Sequence, residues 1–101
     1  MPTTTKVLFR GAATTSTGTT LYTTPGGTTA VVSNIVIENS AATTSTFTLA
    51  LNAVPIATTV SIPANSVTVI DMKQVLPATQ TITGGASTTA VDIHISGVEI
   101  S

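Results

Sequence analysis

Asp92 and His94 stand two residues apart in Ala90–Ile100, a stretch whose valines and isoleucines alternate with other residues. In an extended strand, residues i and i+2 share a face. A carboxylate and an imidazole would then lie side by side, as in part of a nucleophilic triad that lacks only a hydroxyl. Serine and threonine are so abundant in this chain that a third member is always to hand. The pair therefore carries little specificity, and no nucleophile elbow accompanies it. Its parity is opposite to that of Val91, Ile93 and Ile95, which predicts an outward-facing surface pair rather than a catalytic one.

The other chemistry-bearing residues are few. Four carboxylates (Glu38, Asp71, Asp92, Glu99) and one histidine are scattered along the chain. A metal site needs several such ligands to converge, so no metal is expected. Asp71 could meet Lys73 two residues along a strand, an exposed pair worth little. Gly26-Gly27 and Gly84-Gly85 belong to no phosphate-binding loop and read as turns. Phe9, Tyr22 and Phe47 are the only aromatics. Phe47 has core parity, which leaves too few for a sugar-stacking platform. Thr79-x-Thr81-x-Thr83 has the look of one row of an ice-binding face. Such a face needs the row repeated in register on its neighbours, and no repeat period supports that. No cofactor is expected.

The elements that must carry these residues are strands. Threonine fills about a quarter of the positions, far above ordinary usage, and its β-branch suits a pleated, half-buried surface. Charged residues are only 7% of the chain, against roughly a quarter in a usual protein. The 101 residues make one domain. Hydrophobic content of 42% and a mean hydropathy of +0.50 argue against disorder. Net charge is −1, from Lys6, Arg10 and Lys73 against the four carboxylates. Three separated cations cannot track a phosphate backbone or an anionic membrane, so neither nucleic acid nor membrane is an expected partner. There is no cysteine, hence no disulfide and no thiolate. The first residues lack the apolar core of a signal peptide, which gives a cytoplasmic site of synthesis as the expectation.

Period-two patterns recur and no helical period stands out. Strands are expected at Lys6–Arg10, Leu21–Thr23, Thr28–Glu38, Thr46–Leu51, Val54–Ile62, Val67–Met72, Thr79–Thr83 and Ala90–Ile100. Inward residues are read as Val31, Ile35 and Ile37; Phe47, Leu49 and Leu51; Val60 and Ile62; and Val67 and Val69. Pro55 marks its strand as an edge. Asn52-Ala53 reads as a tight turn, and Met72–Pro77 as a crossing or half a helical turn. Beyond Ser96-Gly97 the apolar parity flips to Val98 and Ile100, which predicts a β-bulge with Gly97 at positive φ. About seven or eight short strands with Gly/Pro turns give an all-β fold, a single antiparallel β-sandwich or small jelly-roll spanning residues 6–101. Residues 1–5, with Pro2 and no core residue, are expected to form an extended N-terminal arm.

The succession LYTTPGGTTAVVSNIVIEN (Leu21–Asn39), TFTLALN (Thr46–Asn52), VSIPANSVTVIDMKQVL (Val60–Leu76) and the ending ITGGASTTAVDIHISGVEIS resembles small structural proteins of tailed bacteriophages. The likeness runs from about Lys6 to the end, and its motifs are turns and core strands with no catalytic residue among them. It implies a virion component assembled in the host cytoplasm: a head decoration (cement) protein, a head fibre or a minor tail protein. The implied partners are the major capsid protein or tail proteins of the same phage, with many copies or a homo-oligomer. Expected contacts are Met1, Pro2, Thr3, Thr4, Thr5, Lys6 and Arg10, together with an exposed sheet edge. A host-binding tail module would instead use the loops Ala12–Thr20, Asn39–Ser45 and Gly84–Thr88.

Overall fold

The computed structural model describes residues 3–101, which form eight strands: β1 (Thr3–Ala12), β2 (Thr20–Thr23), β3 (Thr29–Asn39), β4 (Ser45–Leu51), β5 (Val54–Ile62), β6 (Ser66–Leu76), β7 (Thr81–Ala86) and β8 (Val91–Ile100). They pair antiparallel into two four-stranded sheets, β1-β8-β3-β6 and β2-β7-β4-β5. Only β4 and β5 follow one another within a sheet; every other connection crosses the sandwich. This strand order is that of a jelly-roll. The β4–β5 hairpin turns at Asn52 (φ 49°) and Ala53 (φ 64°), the doubly left-handed geometry that suits the twist of a two-residue hairpin.

The core lies between the sheets. Leu8, Val32, Ile35, Ile37, Val91, Ile93 and Ile95 face Phe47, Leu49, Leu51, Ile62 and Ile82. Burying each such side chain contributes about 1.5–3 kcal/mol, so these alternating residues decide the fold. β4 and β8 show the expected parity, with Phe47, Leu49, Leu51, Val91, Ile93 and Ile95 all buried.

Other assignments are corrected. In β3 the pairing shifts between Val32 and Asn34. That irregularity changes the phase, so Val32 rather than Val31 joins Ile35 and Ile37 in the core. In β6 the longer side chains Ile70, Met72 and Leu76 turn inward, leaving Val67 and Val69 exposed. Met72–Leu76 continues β6 and is neither a crossing nor a helical turn. Val60 is exposed on β5, the edge strand that Pro55 signals. Thr79 lies in the β6–β7 turn at φ 69°.

The glycines bring the sharpest correction. Gly97 has no positive φ, and β8 keeps its alternation through it. The irregularities fall on its neighbours, between Val7 and Phe9 in β1 and at Ser33 in β3. A Cβ on Gly97 would collide with the Val31 carbonyl and lie 3.2 Å from Leu8 Cδ1. The glycine is needed for close approach of three backbones. Gly84 and Gly85 lie within β7 and are not a turn. A Cβ there would meet Leu49 Cδ2 at 2.5 Å and Thr48 O at 2.6 Å, or Thr14 O at 2.8 Å.

Candidate interaction surfaces

All seven charged residues lie on one sheet. Lys6 and Arg10 are on β1, Glu38 on β3, Asp71 and Lys73 on β6, Asp92 and Glu99 on β8. The single histidine, His94, is also on β8. The β2-β7-β4-β5 sheet carries no ionisable side chain except the Tyr22 phenol. Away from the core it presents half-buried Thr46, Thr48, Thr81 and Thr83. Such a surface can meet another protein without stripping water from ions. It does not form a regular threonine array, because Thr83 and Thr48 lie opposite Ala50 and Gly85 on the neighbouring strands.

The expected contact residues gather on β1, an outer edge of the charged sheet. Thr3, Thr4 and Thr5 are exposed and pair with Ile100, Glu99 and Val98; Met1 and Pro2 lie outside the described residues. Arg10 is exposed beside His94 on β8. Lys6 is tied down: its Nζ donates to both Glu99 carboxylate oxygens at 3.3 and 3.2 Å. The Tyr22 hydroxyl donates to Glu99 Oε2 at 2.5 Å. This triad joins β1, β8 and β2, and so clips one sheet to the other. The Tyr22 hydrogen bond, with the Lys6 hydrogen bond and charge, holds the Glu99 carboxyl below its ordinary range. Burial and the neighbouring carboxylate push the Tyr22 phenol far above its own. Tyr22 is buried and so is no sugar platform.

Asp92 and His94 sit on the outer face of β8, opposite the core parity, as expected. The flanking residues are Ala12 and Glu38 for Asp92, and Arg10 and Val36 for His94. Among the described residues, no three His, Asp or Glu side chains converge into a metal-binding group. The sole ion pair among them is Lys6–Glu99, so Asp71 and Lys73 do not bridge within the chain. A shallow open groove runs over the bulged region, lined by Lys6, Val7, Ser33, Ser96 and Val98 among others. Lys6 is its one ionisable group, which is too little for acid–base chemistry.

Asn39 is a functional residue of the fold that sequence reading missed, having placed it at the start of a loop. It is fully buried. Its Nδ2 donates to the carbonyls of Thr43, Ile62 and Pro63 at 3.0–3.2 Å. Its Oδ1 accepts from Ala41 N at 3.0 Å and Ser45 Oγ at 3.3 Å. One side chain thus fixes the β3–β4 loop against the β5–β6 turn. The same end of the molecule gathers further loops. Ser40 N and Oγ donate to Ala90 O, Asn65 N donates to Ala41 O, and Ala86 N donates to Thr14 O. The three loop segments named as possible contact tips are therefore neighbours. They lie at the end where Ala12 meets Asp92; Thr3 and Ile100 lie at the opposite end of the same strand pair. The molecule measures 45 Å along its longest axis.

No family model matches the sequence, and no curated protein matches it. Among solved structures, 97% of the chain is similar to part of a chain in the structure of infectious bursal disease virus Gx strain. The TM-score is 0.59 and the identity 10%. The present chain spans 31% of that chain's length. At that identity the likeness establishes the fold alone. An exo-β-1,3-galactanase from Phanerochaete chrysosporium aligns with 97% of this chain and 29% of its own, at 21% identity and a TM-score of 0.43. A pentameric capsid protein isolated from metagenomic phage sequences aligns with 95% of this chain and 61% of its own, at 17% identity and a TM-score of 0.33. Superpositions that loose bear no weight. The eight-stranded jelly-roll is what this chain shares with a viral structure.

Proposed function

We propose that this protein is a non-enzymatic structural component of a tailed-phage virion, a decoration protein that binds the outer surface of the head. The observation that carries the reading is a jelly-roll with a charge-free outer sheet. A coat protein must be compact and unreactive, and it must bind by surface shape. An apolar, buried core and a hydroxyl face without ions meet those needs. The likeness of fold to a virus structure supports the reading, as does the resemblance of the strand and turn motifs to small phage structural proteins.

Contacts with the major capsid protein would use the neutral threonine face and the exposed edge of β1, from Thr3 at its start to Arg10 near its far end. Immunogold labelling of intact particles tests this: gold over the whole head is expected, and gold confined to the tail would refute it. A second reading, a head-fibre or minor tail module that touches the host surface, is favoured by one observation. The Thr14–Thr19, Ser40–Thr44 and Ser87–Ala90 loops converge at one end. Purified protein that binds host cells, and loses that binding when Thr14–Thr19 is shortened, would favour it.

A further inference from the structure

The two sheets leave four outer strands, β1, β6, β2 and β5. Exposed edges invite pairing, and proteins commonly protect them. β2 is four residues long. β5 contains Pro55, a left-handed Thr59 at φ 49° and two shifts in its pairing. β1 carries a bulge and the cations Lys6 and Arg10. β6 is different. It runs 11 residues without proline and pairs with β3 in register from Ser66 to Asp71 and again from Gln74 to Leu76, with one irregularity at Met72–Lys73, where two residues face Ser33 alone. Val67, Val69, Asp71, Lys73 and Val75 are exposed on one parity along the strand, and Gln74 is the one exposed residue of the other parity. Val67, Val69 and Val75 are 56%, 58% and 61% exposed.

The order of these side chains is self-complementary. Val69, Asp71, Lys73 and Val75 read apolar, negative, positive, apolar, and among the described residues neither charge is in an ion pair. An antiparallel partner strand of the same sequence, centred on Met72, places Asp71 opposite Lys73 twice and Val69 opposite Val75 twice. Opposite charges and β-branched residues directly across a strand pair are favourable. A two-fold dimer uses the same patch on both subunits, which is the property this pattern has. We propose that β6 is a homodimer edge, on which a second copy of this chain adds its own β6 to make a continuous eight-stranded sheet. This stands apart from the virion reading, since a soluble dimer supports it whatever the particle shows.

Sedimentation equilibrium of the purified chain across a micromolar dilution series tests the inference. A reversible dimer is expected, weakening as salt is raised. Asp71→Lys and Lys73→Asp, each alone, set like charges opposite one another and should raise the dimer Kd roughly tenfold or more. The double variant Asp71→Lys with Lys73→Asp restores opposite pairing and should recover the wild-type Kd. Both side chains are exposed, and circular dichroism would verify that each variant is folded. A monomeric wild-type chain would overturn the proposal. So would single variants that dimerise as well as the wild type, or a double variant no better than either single one.

Discussion

The two sheets of this jelly-roll differ in what they show to the outside. The β1-β8-β3-β6 sheet has strands of 10 or 11 residues and holds every charged side chain. The β2-β7-β4-β5 sheet has strands of four to nine residues and holds none. Their inner faces are alike in being closely packed and apolar. The low charge of the chain is thus not a uniform property. It is the sum of one ordinary solvated face and one neutral face, and only the second can be covered by protein with no ions to desolvate. The few polar ties between the sheets sit at the two ends: Lys6–Glu99–Tyr22 at one and the Asn39 network at the other.

The charged sheet depends on a crowded seam, and the largest effect is expected there. Gly97→Val drives a side chain into the Val31 carbonyl and should cost about 3 kcal/mol or prevent folding. An unchanged urea midpoint would show that β3 can retreat from β8. Next comes the tie between sheets. Asn39→Ala leaves buried carbonyls and the Ser45 hydroxyl without their partner and should cost about 2–3 kcal/mol by the same denaturation experiment. A loss under about 0.5 kcal/mol would mean that water replaces the amide.

The opposite tie should respond to acid. Glu99 has a folded-state pKa below its ordinary value. Its contribution is present above the ordinary carboxylate range and is lost as pH falls through the folded value. Melting temperature should therefore drop at acid pH, and Glu99→Gln should reduce that drop. Equal acid sensitivity in the variant would remove Glu99 as its source. The smallest effect is expected at His94. His94→Ala on the outer charged face should change stability by less than about 0.5 kcal/mol; a larger loss would show that the row Arg10–His94–Val36 does more than face solvent.

How much the sequence disclosed depended on whether one face of a strand was plainly richer in apolar groups. In β4 every second residue is large and apolar, so Phe47, Leu49 and Leu51 could be read directly. In β6 both parities carry apolar residues, and alternation alone could not tell Val67 and Val69 from Ile70 and Met72. The larger set took the core. In β3 the slip at Ser33 exchanged Val31 for Val32, and no glycine announced it. The importance of Gly97 was legible but its cause was not, since the parity flip in β8 sits opposite irregularities in β1 and β3. Asn39 and the Glu99–Tyr22 contact join residues 23 and 77 positions apart, and nothing local marks them. Of the expected contact residues, Thr3, Thr4, Thr5, Lys6 and Arg10 are exposed on β1. The separation of charge between sheets followed only from the strand order.

The central claim is that the protein coats the head of a phage particle. Cryo-electron microscopy of purified virions tests it most directly. The account predicts repeated jelly-roll density, about 45 × 21 × 18 Å, on the outer head surface, with the neutral β2-β7-β4-β5 face covered. Density for this chain at the tail alone, or its absence from the particle, would contradict the account.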